Sequence, residues 1–334
     1  MASTSQSPVI AVDAMGGDHG PAVVVPGAVQ ALAQRNDFSL ALYGDESAIV
    51  EQLQQLDVAD QPISIIHCIQ DIDMAESPAA AIRGKPDSPI VRALKDQKAG
   101  SCDALVSAGS TGAMVAASLV ILGRLSSVDR PAIGTLIPAV DDHFLLLDVG
   151  ANVQCNAEHL RCFAEMGNLY CREILGRDEP RIGLLNIGEE ETKGSELVIK
   201  TYQLLQQTAL NFIGNVESNR LLLGTADVVV TDGFTGNMAL KLIEGFGHFL
   251  GEIAGSAQLT DADRKLLVPG LAVLDKKLDY AAYGGAMLLG IDGISIISHG
   301  RSSSRAITNA VLVARRQAVL DIPRKLQQTL ARRA

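Results

Sequence analysis

The chain has 334 residues, 47% of them hydrophobic, with 31 glycines, five cysteines, no tryptophan and a formal net charge of −10. That size and apolar content support an extensive core in one large α/β domain or two, and the acidic balance excludes nucleic acid as a general partner, because a phosphate backbone is held by basic surface. The longest apolar stretch, around Ala113 to Leu122, is far short of the roughly 20 residues that a membrane-spanning helix needs.

Met1 to Ser7 is small and polar, without the basic and apolar regions of a secretory signal, and reads as a flexible tail on a cytoplasmic chain. Residues 8–334 contain no Pro/Gly/Ser-rich linker, low-complexity tract or clear internal repeat, which predicts a single α/β domain. Apolar runs place strands at Val9–Asp13, Phe38–Tyr43, Ile63–His67, Ala104–Ser107, Phe144–Asp148, Arg181–Asn186, Phe212–Asn215, Val228–Thr231 and Ile294–Ser298, with helical patterns between most of them. That alternation implies parallel βαβ units with right-handed crossovers, and in such sheets ligands bind beyond the carboxyl ends of the strands.

Several of these strands end in a glycine-rich loop that carries polar side chains. The first runs into Asp13-Ala14-Met15-Gly16-Gly17-Asp18-His19-Gly20, where Asp13 suits a base, a cap or, least well for want of companion carboxylates and histidines, a metal ligand. Arg83, Lys85 and Ser88 form a short basic cluster that suits a second anion clamp or a solvated turn. Gly109-Ser110-Thr111-Gly112 leads directly into an apolar helix, where backbone N–H groups and the positive end of the helix dipole favour phosphate. Asp148 precedes Val149-Gly150-Ala151-Asn152, and Asn186 precedes Ile187-Gly188-Glu189-Glu190-Glu191-Thr192-Lys193-Gly194. Asp232-Gly233-Phe234-Thr235-Gly236-Asn237 repeats the glycine-turn arrangement, with Thr235 expected as an N-cap and Asn237 able to donate through its amide. Two such loops in one sheet, with Lys193 on a third, favour a small-oxyanion site.

Ala108-x-Ser110-x-Gly112 also resembles the nucleophile elbow of α/β hydrolases, and Asp232 and His299 follow in the order of a triad. Ala108 replaces the first glycine of that motif, however, and serines on strand-to-helix turns commonly cap helices. The five cysteines cannot all pair and lack zinc-motif spacing, which predicts reduced, buried thiols; His159 and Cys162, three apart on a helix, suit ordinary packing better than ligation. Neither the dinucleotide G-x-G-x-x-G pattern nor the Walker A spacing occurs, so no nicotinamide or ATP cofactor is expected, and without a compact set of carboxylates or histidines no metal is expected either.

From Asn237 to about Leu278 the alternation breaks. A helix through Ala254, a polar break at Ser256 to Asp261 and a second helix interrupted at Pro269-Gly270 read as an inserted helical arm, suited to a dimer contact or a membrane-touching tip. Residues 301–334 hold eight basic residues and one acid, Asp321, against an acidic remainder. Such a face suits an acidic partner, an anionic lipid surface or plain solvation.

Taken in order, Ala11-Val12-Asp13-Ala14-Met15-Gly16-Gly17-Asp18-His19, Ser107-Ala108-Gly109-Ser110-Thr111-Gly112, Asp148-Val149-Gly150-Ala151-Asn152-Val153, Gly183-Leu184-Leu185-Asn186-Ile187-Gly188, Val230-Thr231-Asp232-Gly233-Phe234-Thr235-Gly236-Asn237 and Tyr283-Gly284-Gly285-Ala286 resemble the phosphate acyltransferases of bacterial phospholipid synthesis, the PlsX family. The resemblance runs from about residue 9 to 318. It implies a three-layer α/β/α fold with a mostly parallel sheet, similar to isocitrate and isopropylmalate dehydrogenases and to phosphotransacetylases. It further implies a homodimer that converts acyl-acyl-carrier-protein and inorganic phosphate to acyl phosphate and free carrier protein, and peripheral contact with the cytoplasmic membrane. Lys193 and Asn237 match the positions regarded as catalytic. Gly109, Ser110, Thr111, Gly112, Asp232, Gly233, Thr235, Gly236, Asp13 and Arg83 are the accompanying phosphate- or substrate-binding candidates.

Two positions depart from the family pattern. Ser110 stands where asparagine is usual, which weakens the hydrolase reading, and Pro89 stands where a second serine follows Ser88, which removes a backbone N–H donor at residue 89. Two other classes stay in view: a nicotinamide-dependent dehydrogenase of the related fold, and a non-catalytic scaffold for carrier protein or membrane.

Overall fold

Runs such as Val9-Ile10-Ala11-Val12, Leu105-Val106 and Val228-Val229-Val230 have no polar face, so they are stable only where both faces of a sheet are covered. In the computed structural model they are buried strands of an α/β fold. It describes residues 7–332 apart from residue 59 and most positions between 256 and 282. The chain divides into two compact units, one of Met1–Pro131 with Ala281–Ala334 and one of Ala132–Tyr280. Elements are numbered in chain order.

The first unit contains β1 (Val9–Asp13), α1 (Pro21–Gln34), β2 (Ser39–Gly44), α2 (Glu46–Leu53), β3 (Ile63–His67), α3 (Pro78–Gly84), α4 (Pro89–Lys98), β4 (Ala104–Ser107) and α5 (Thr111–Ile121). The second adds β5 (Ala132–Pro138), β6 (His143–Leu147), α6 (Ala157–Tyr170), β7 (Ile182–Asn186), α7 (Glu196–Gln206), β8 (Phe212–Glu217), β9 (Val228–Val230) and α8 (Gly233–Gly255). The chain then returns to the first unit with β10 (Ala286–Leu289), β11 (Ser295–Ile297), α9 (Ser304–Leu320) and α10 (Ile322–Ala331). Strand order is β3-β2-β1-β4-β11-β10 in the first unit and β5-β6-β9-β7-β8 in the second.

Most neighbouring strands are parallel, as the strand–helix alternation predicts. Two pairs are antiparallel, β5 with β6 and β10 with β11, and neither β5 nor β10 is among the strands expected from the sequence. The connectors explain both. Residues 139–142 and 290–294 are far too short for the crossover of a dozen or more residues that a parallel return requires.

The basic C-terminal segment is anchored. Ala306, Ile307, Ala310, Val311 and Ala314 are buried along α9. The helix approaches α1 so closely at Gly27 that an added Cβ would stand 2.5 Å from the Ser304 carbonyl oxygen, and Thr308 Oγ1 donates to the Gly27 carbonyl at 2.8 Å. The helix expected from Asn237 starts earlier, at Gly233, because Asp232 provides its cap. Of the break at Ser256–Asp261 only Thr260 is described, and in the second helix of the arm, about half of which lies outside the described residues, positions 268–271 are helical, so the interruption expected at Pro269-Gly270 is not seen there. Among the described residues no helix is long and apolar enough to cross a membrane.

Candidate functional site

In the second unit β6, β9 and β7 are adjacent and parallel, so their carboxyl ends, and the loops that begin at Asp148, Thr231 and Asn186, lie at one edge of the sheet. Asp148 organises the first of these loops. Its fully buried carboxylate accepts from the backbone N–H groups of Ile133, Gly150 and Ala151 at 3.0–3.1 Å through Oδ1, and from Asn152 N at 2.7 Å and Asn152 Nδ2 at 2.9 Å through Oδ2. Burial raises its pKa, while these donors favour the charged form and pull the other way.

The turn made by Asp148 receives the start of α8. Gly233 N donates to the Asn152 carbonyl at 2.8 Å, and a Cβ on Gly233 would stand 2.8 Å from both Asn152 backbone atoms and Asp148 Oδ2. Gly236 is tighter still, its would-be Cβ 1.9 Å from the Asp148 carbonyl oxygen. The glycines of this motif are therefore required for helix-to-loop packing. Asp232, not Thr235, is the N-cap: Asp232 Oδ1 accepts from Thr235 N at 2.9 Å, and Thr235 Oγ1 donates to Asp232 Oδ2 at 2.7 Å. A carboxylate reaches the N3 amide from the cap position, which Thr235, two residues into the helix, cannot do for itself. Asn237, the fifth residue of α8, is exposed, and its side-chain nitrogen lies 3.0 Å from where a Gly150 Cβ would be.

Lys193 sits on the loop after β7, exposed and without an ion pair among the described residues. Asn186 holds both ends of that loop: its Nδ2 donates to the Lys193 carbonyl at 3.0 Å, and its Oδ1 accepts from Ile187 N at 2.8 Å. Gly194, at φ 96°, lies so close to the Asn186 amide that a Cβ would stand 2.4 Å from Oδ1. Lys193, Asp232, Gly233, Thr235, Gly236 and Asn237 thus share one edge of the second unit.

In the first unit β1, β4 and β11 are parallel through β4, which gathers the loops after Asp13, Ser107 and Ile297 at a common edge. Asp13 is buried; its Oδ2 accepts from Ser107 Oγ at 2.6 Å and its Oδ1 from Met15 N at 3.2 Å, which is the turn-capping role among its sequence alternatives. Burial pushes its carboxyl up from 3.8 to about 6, with the Ser107 hydrogen bond opposing. Gly109 N donates to Ser107 Oγ at 3.0 Å, so this N–H serves the Asp13 network and is not a free anion donor as expected. Ser110 is the buried N-cap of α5, its Oγ accepting from Ala113 N at 3.4 Å, which is the capping alternative to a nucleophile. The N–H groups of Thr111 and Gly112, in the first turn of α5, remain those that lack an intrahelical acceptor.

The basic cluster is dispersed. Lys85 Nζ bonds to Glu76 and to the Asp71 carbonyl, Ser88 is fully buried with its hydroxyl on the Lys85 carbonyl, and Arg83 lies exposed in the last turn of α3. A cavity of about 520 Å³ lies here, lined by Asp13, Gly16, Gly109, Asp71, Lys85 and Pro89 among others; Arg83 is not in its wall. Pro89 occupies the first position of α4, where a missing N–H costs nothing.

His159 completes a capping box with Asn156 and Cys162 is buried, so this pair is structural. All five cysteines are free thiols, four of them buried. Ser107, Asp148, Asn152 and Asn186 do as much to shape the loops as the residues singled out from sequence. Their signal was present, since each is a polar residue at or shortly after the end of an apolar strand.

Comparison with known proteins gives the fold first. The chain shares its α/β fold with a phosphotransacetylase from Streptococcus pyogenes (TM-score 0.66, 18% identity, 94% of this chain and 95% of that one) and with the EutD phosphotransacetylase from Staphylococcus aureus (TM-score 0.63, 19% identity, 94% and 95%). At the sequence level a family model described as "Fatty acid synthesis protein" matches residues 9–325. A phosphate acyltransferase from Desulforamulus reducens is 48% identical over 311 residues, 92% of each chain, and one from Anoxybacillus flavithermus is 45% identical over 327 residues, 96% of this chain and 98% of the relative. The chain belongs to the phosphate acyltransferase family.

Proposed function

We propose that the chain transfers a long-chain fatty acyl group from acyl-acyl-carrier-protein to inorganic phosphate, giving acyl phosphate for phospholipid synthesis, with Lys193 and Asn237 as its catalytic residues. The observation that carries this reading is the family match across nearly the whole chain, on a structure whose strand-end loops expose a lysine and an amide at one edge.

The chemistry needs no cofactor. A phosphate oxygen attacks the thioester carbonyl, a tetrahedral oxyanion forms, and the C–S bond breaks; the proton of hydrogen phosphate passes to the departing carrier thiolate. Phosphate is already nucleophilic at neutral pH, so the protein's task is to hold a dianion and stabilise a second developing negative charge. Lys193 supplies a mobile ammonium and Asn237 a neutral N–H donor at the start of a helix. Between them they neutralise phosphate and polarise the carbonyl. The Asp232–Gly236 turn fixes the direction of Asn237, and the first-turn N–H groups of α5, with Ser110 as its cap, form a second anion-favouring helix start.

Two partner assignments belong to the same proposal. Phe234, Met238, Leu242, Phe246 and Phe249 recur at spacings of four and three along α8, each about half exposed or more. An exposed apolar stripe of that extent marks an interaction surface and supports a homodimer contact, with peripheral membrane contact as the competing use. The exposed arginines of α9 and α10 support docking of carrier protein. Alanine at Lys193 or Asn237 is expected to reduce acyl phosphate formation at least ~100-fold with the fold intact; near-normal turnover in both variants would place the site elsewhere.

A further inference from the structure

We infer that Asn215, on β8, is a positioning residue for Lys193, acting through the Glu190 carbonyl; this rests on the reading that Lys193 is catalytic. The loop that carries Lys193 has no hydrophobic anchor, since Ile187 is 81% exposed, and glutamates occupy three of its other positions. Its position is therefore set by polar tethers. One carbonyl is central to them: Glu190 O accepts from Lys193 N at 3.1 Å and from Asn215 Nδ2 at 2.9 Å. The backbone of the lysine and the side chain of Asn215 thus hang on the same oxygen, and the same amide reaches the Glu189 carbonyl at 3.5 Å.

The strand is modified to deliver that amide. Pairing of β7 with β8 runs Ile182 to Phe212 and then Gly183 to Gly214, so Ile213 is an extra residue, and Gly214 adopts φ 94°. A bulge of this type shifts the inside–outside alternation by one and re-aims the side chains that follow it. Asn215 is the first residue beyond it. The neighbouring tethers have an electrostatic role. Arg220 Nη1 holds Glu189 at 2.6 Å, and Tyr202 Oη and Gln206 Nε2 donate to Glu191 at 3.0 and 3.2 Å, directing two carboxylates that would repel an incoming dianion toward partners of their own.

The test compares Asn215→Asp, which replaces the donor with an acceptor facing two carbonyls, with Asn215→Ser, too short to reach them, and Asn215→Gln, which keeps an amide. Each is assayed for phosphate-dependent acyl transfer, alone and combined with Lys193→Ala, alongside thermal unfolding. The expected result is about a tenfold fall in kcat over KM for phosphate in the Asp and Ser variants, partial recovery in the Gln variant, and no further loss when either is added to Lys193→Ala. An equal loss in the Lys193→Ala background, or unchanged kinetics in a folded Asp or Ser variant, would overturn the inference. If Asn215→Asp does not fold, the Ser variant decides the question by the same comparison. Failure of the underlying reading is recognised separately, because Lys193→Ala alone would then turn over normally.

Discussion

The side-chain amide of Asn237 stands where Gly150 lacks a Cβ: its Nδ2 lies 3.0 Å from the position such an atom would take, and Gly150 adopts φ 144°. One loop therefore limits where the proposed catalytic amide can sit. Gly150→Ala is expected to combine backbone strain of about 1–2 kcal/mol with displacement of Asn237. In steady-state assays kcat should fall by about tenfold or more, and the loss should not add to that of Asn237→Ala. Additive losses would show that Gly150 acts independently of Asn237.

Gly236 is a harsher case. Its would-be Cβ is 1.9 Å from the Asp148 carbonyl oxygen, a backbone atom that cannot swing aside. Gly236→Ala should destabilise the second unit by about 3 kcal/mol, read as an earlier transition in chemical denaturation; an unchanged transition would mean that the start of α8 yields easily to an added methyl group.

Asp13 gives a pH prediction. The folded state holds its proton up to about pH 6, whereas the unfolded state releases it near 3.8. Between those values the native state binds more protons, so stability falls as pH rises, by on the order of 3 kcal/mol in total, and levels off above about pH 6. Asp13→Asn should lack this contribution. Denaturation of both proteins at several pH values across that window measures it, and a parallel slope in the variant would remove Asp13 as the source.

The basic C-terminal face separates into two kinds of arginine. Arg315 is mostly buried and pairs with Asp37, its Nε 2.9 Å from Oδ1, whereas Arg316 is exposed. Arg315→Glu should cost about 1 kcal/mol of stability. Arg316→Glu should leave stability unchanged and raise KM for acyl carrier protein; an unchanged KM would assign Arg316 to solvent or lipid.

The stripe along α8 predicts an oligomer. Leu242→Glu should halve the mass measured by light scattering if a second copy covers the stripe. An unchanged mass together with loss of vesicle co-sedimentation would assign the stripe to membrane instead.

Strands that are apolar throughout were legible because burial on both faces leaves no polar alternation to confuse, as at β1, β4 and β9. β5 was missed because Gly134 and Pro138 interrupt its run, although its four-residue link to β6 was in plain sight. The glycine-rich loops do lie at the carboxyl ends of the strands, but sequence could not say which polar groups were already committed. Lys85 is occupied by Glu76, the Gly109 N–H by Ser107 and the Ser110 hydroxyl by its own helix. These partners lie within nine residues along the chain, but which of several nearby polar groups pairs with which is set by the folded backbone, and Ser107 is itself held by Asp13, 94 residues away.

Transfer to phosphate is decided by following consumption of palmitoyl-acyl-carrier-protein with and without inorganic phosphate while trapping acyl phosphate with hydroxylamine. Hydroxamate should appear only with phosphate and be lost in the Lys193→Ala and Asn237→Ala variants. Thioester loss that proceeds equally without phosphate would contradict phosphate as the acyl acceptor and point back to Ser110 as a hydrolytic nucleophile.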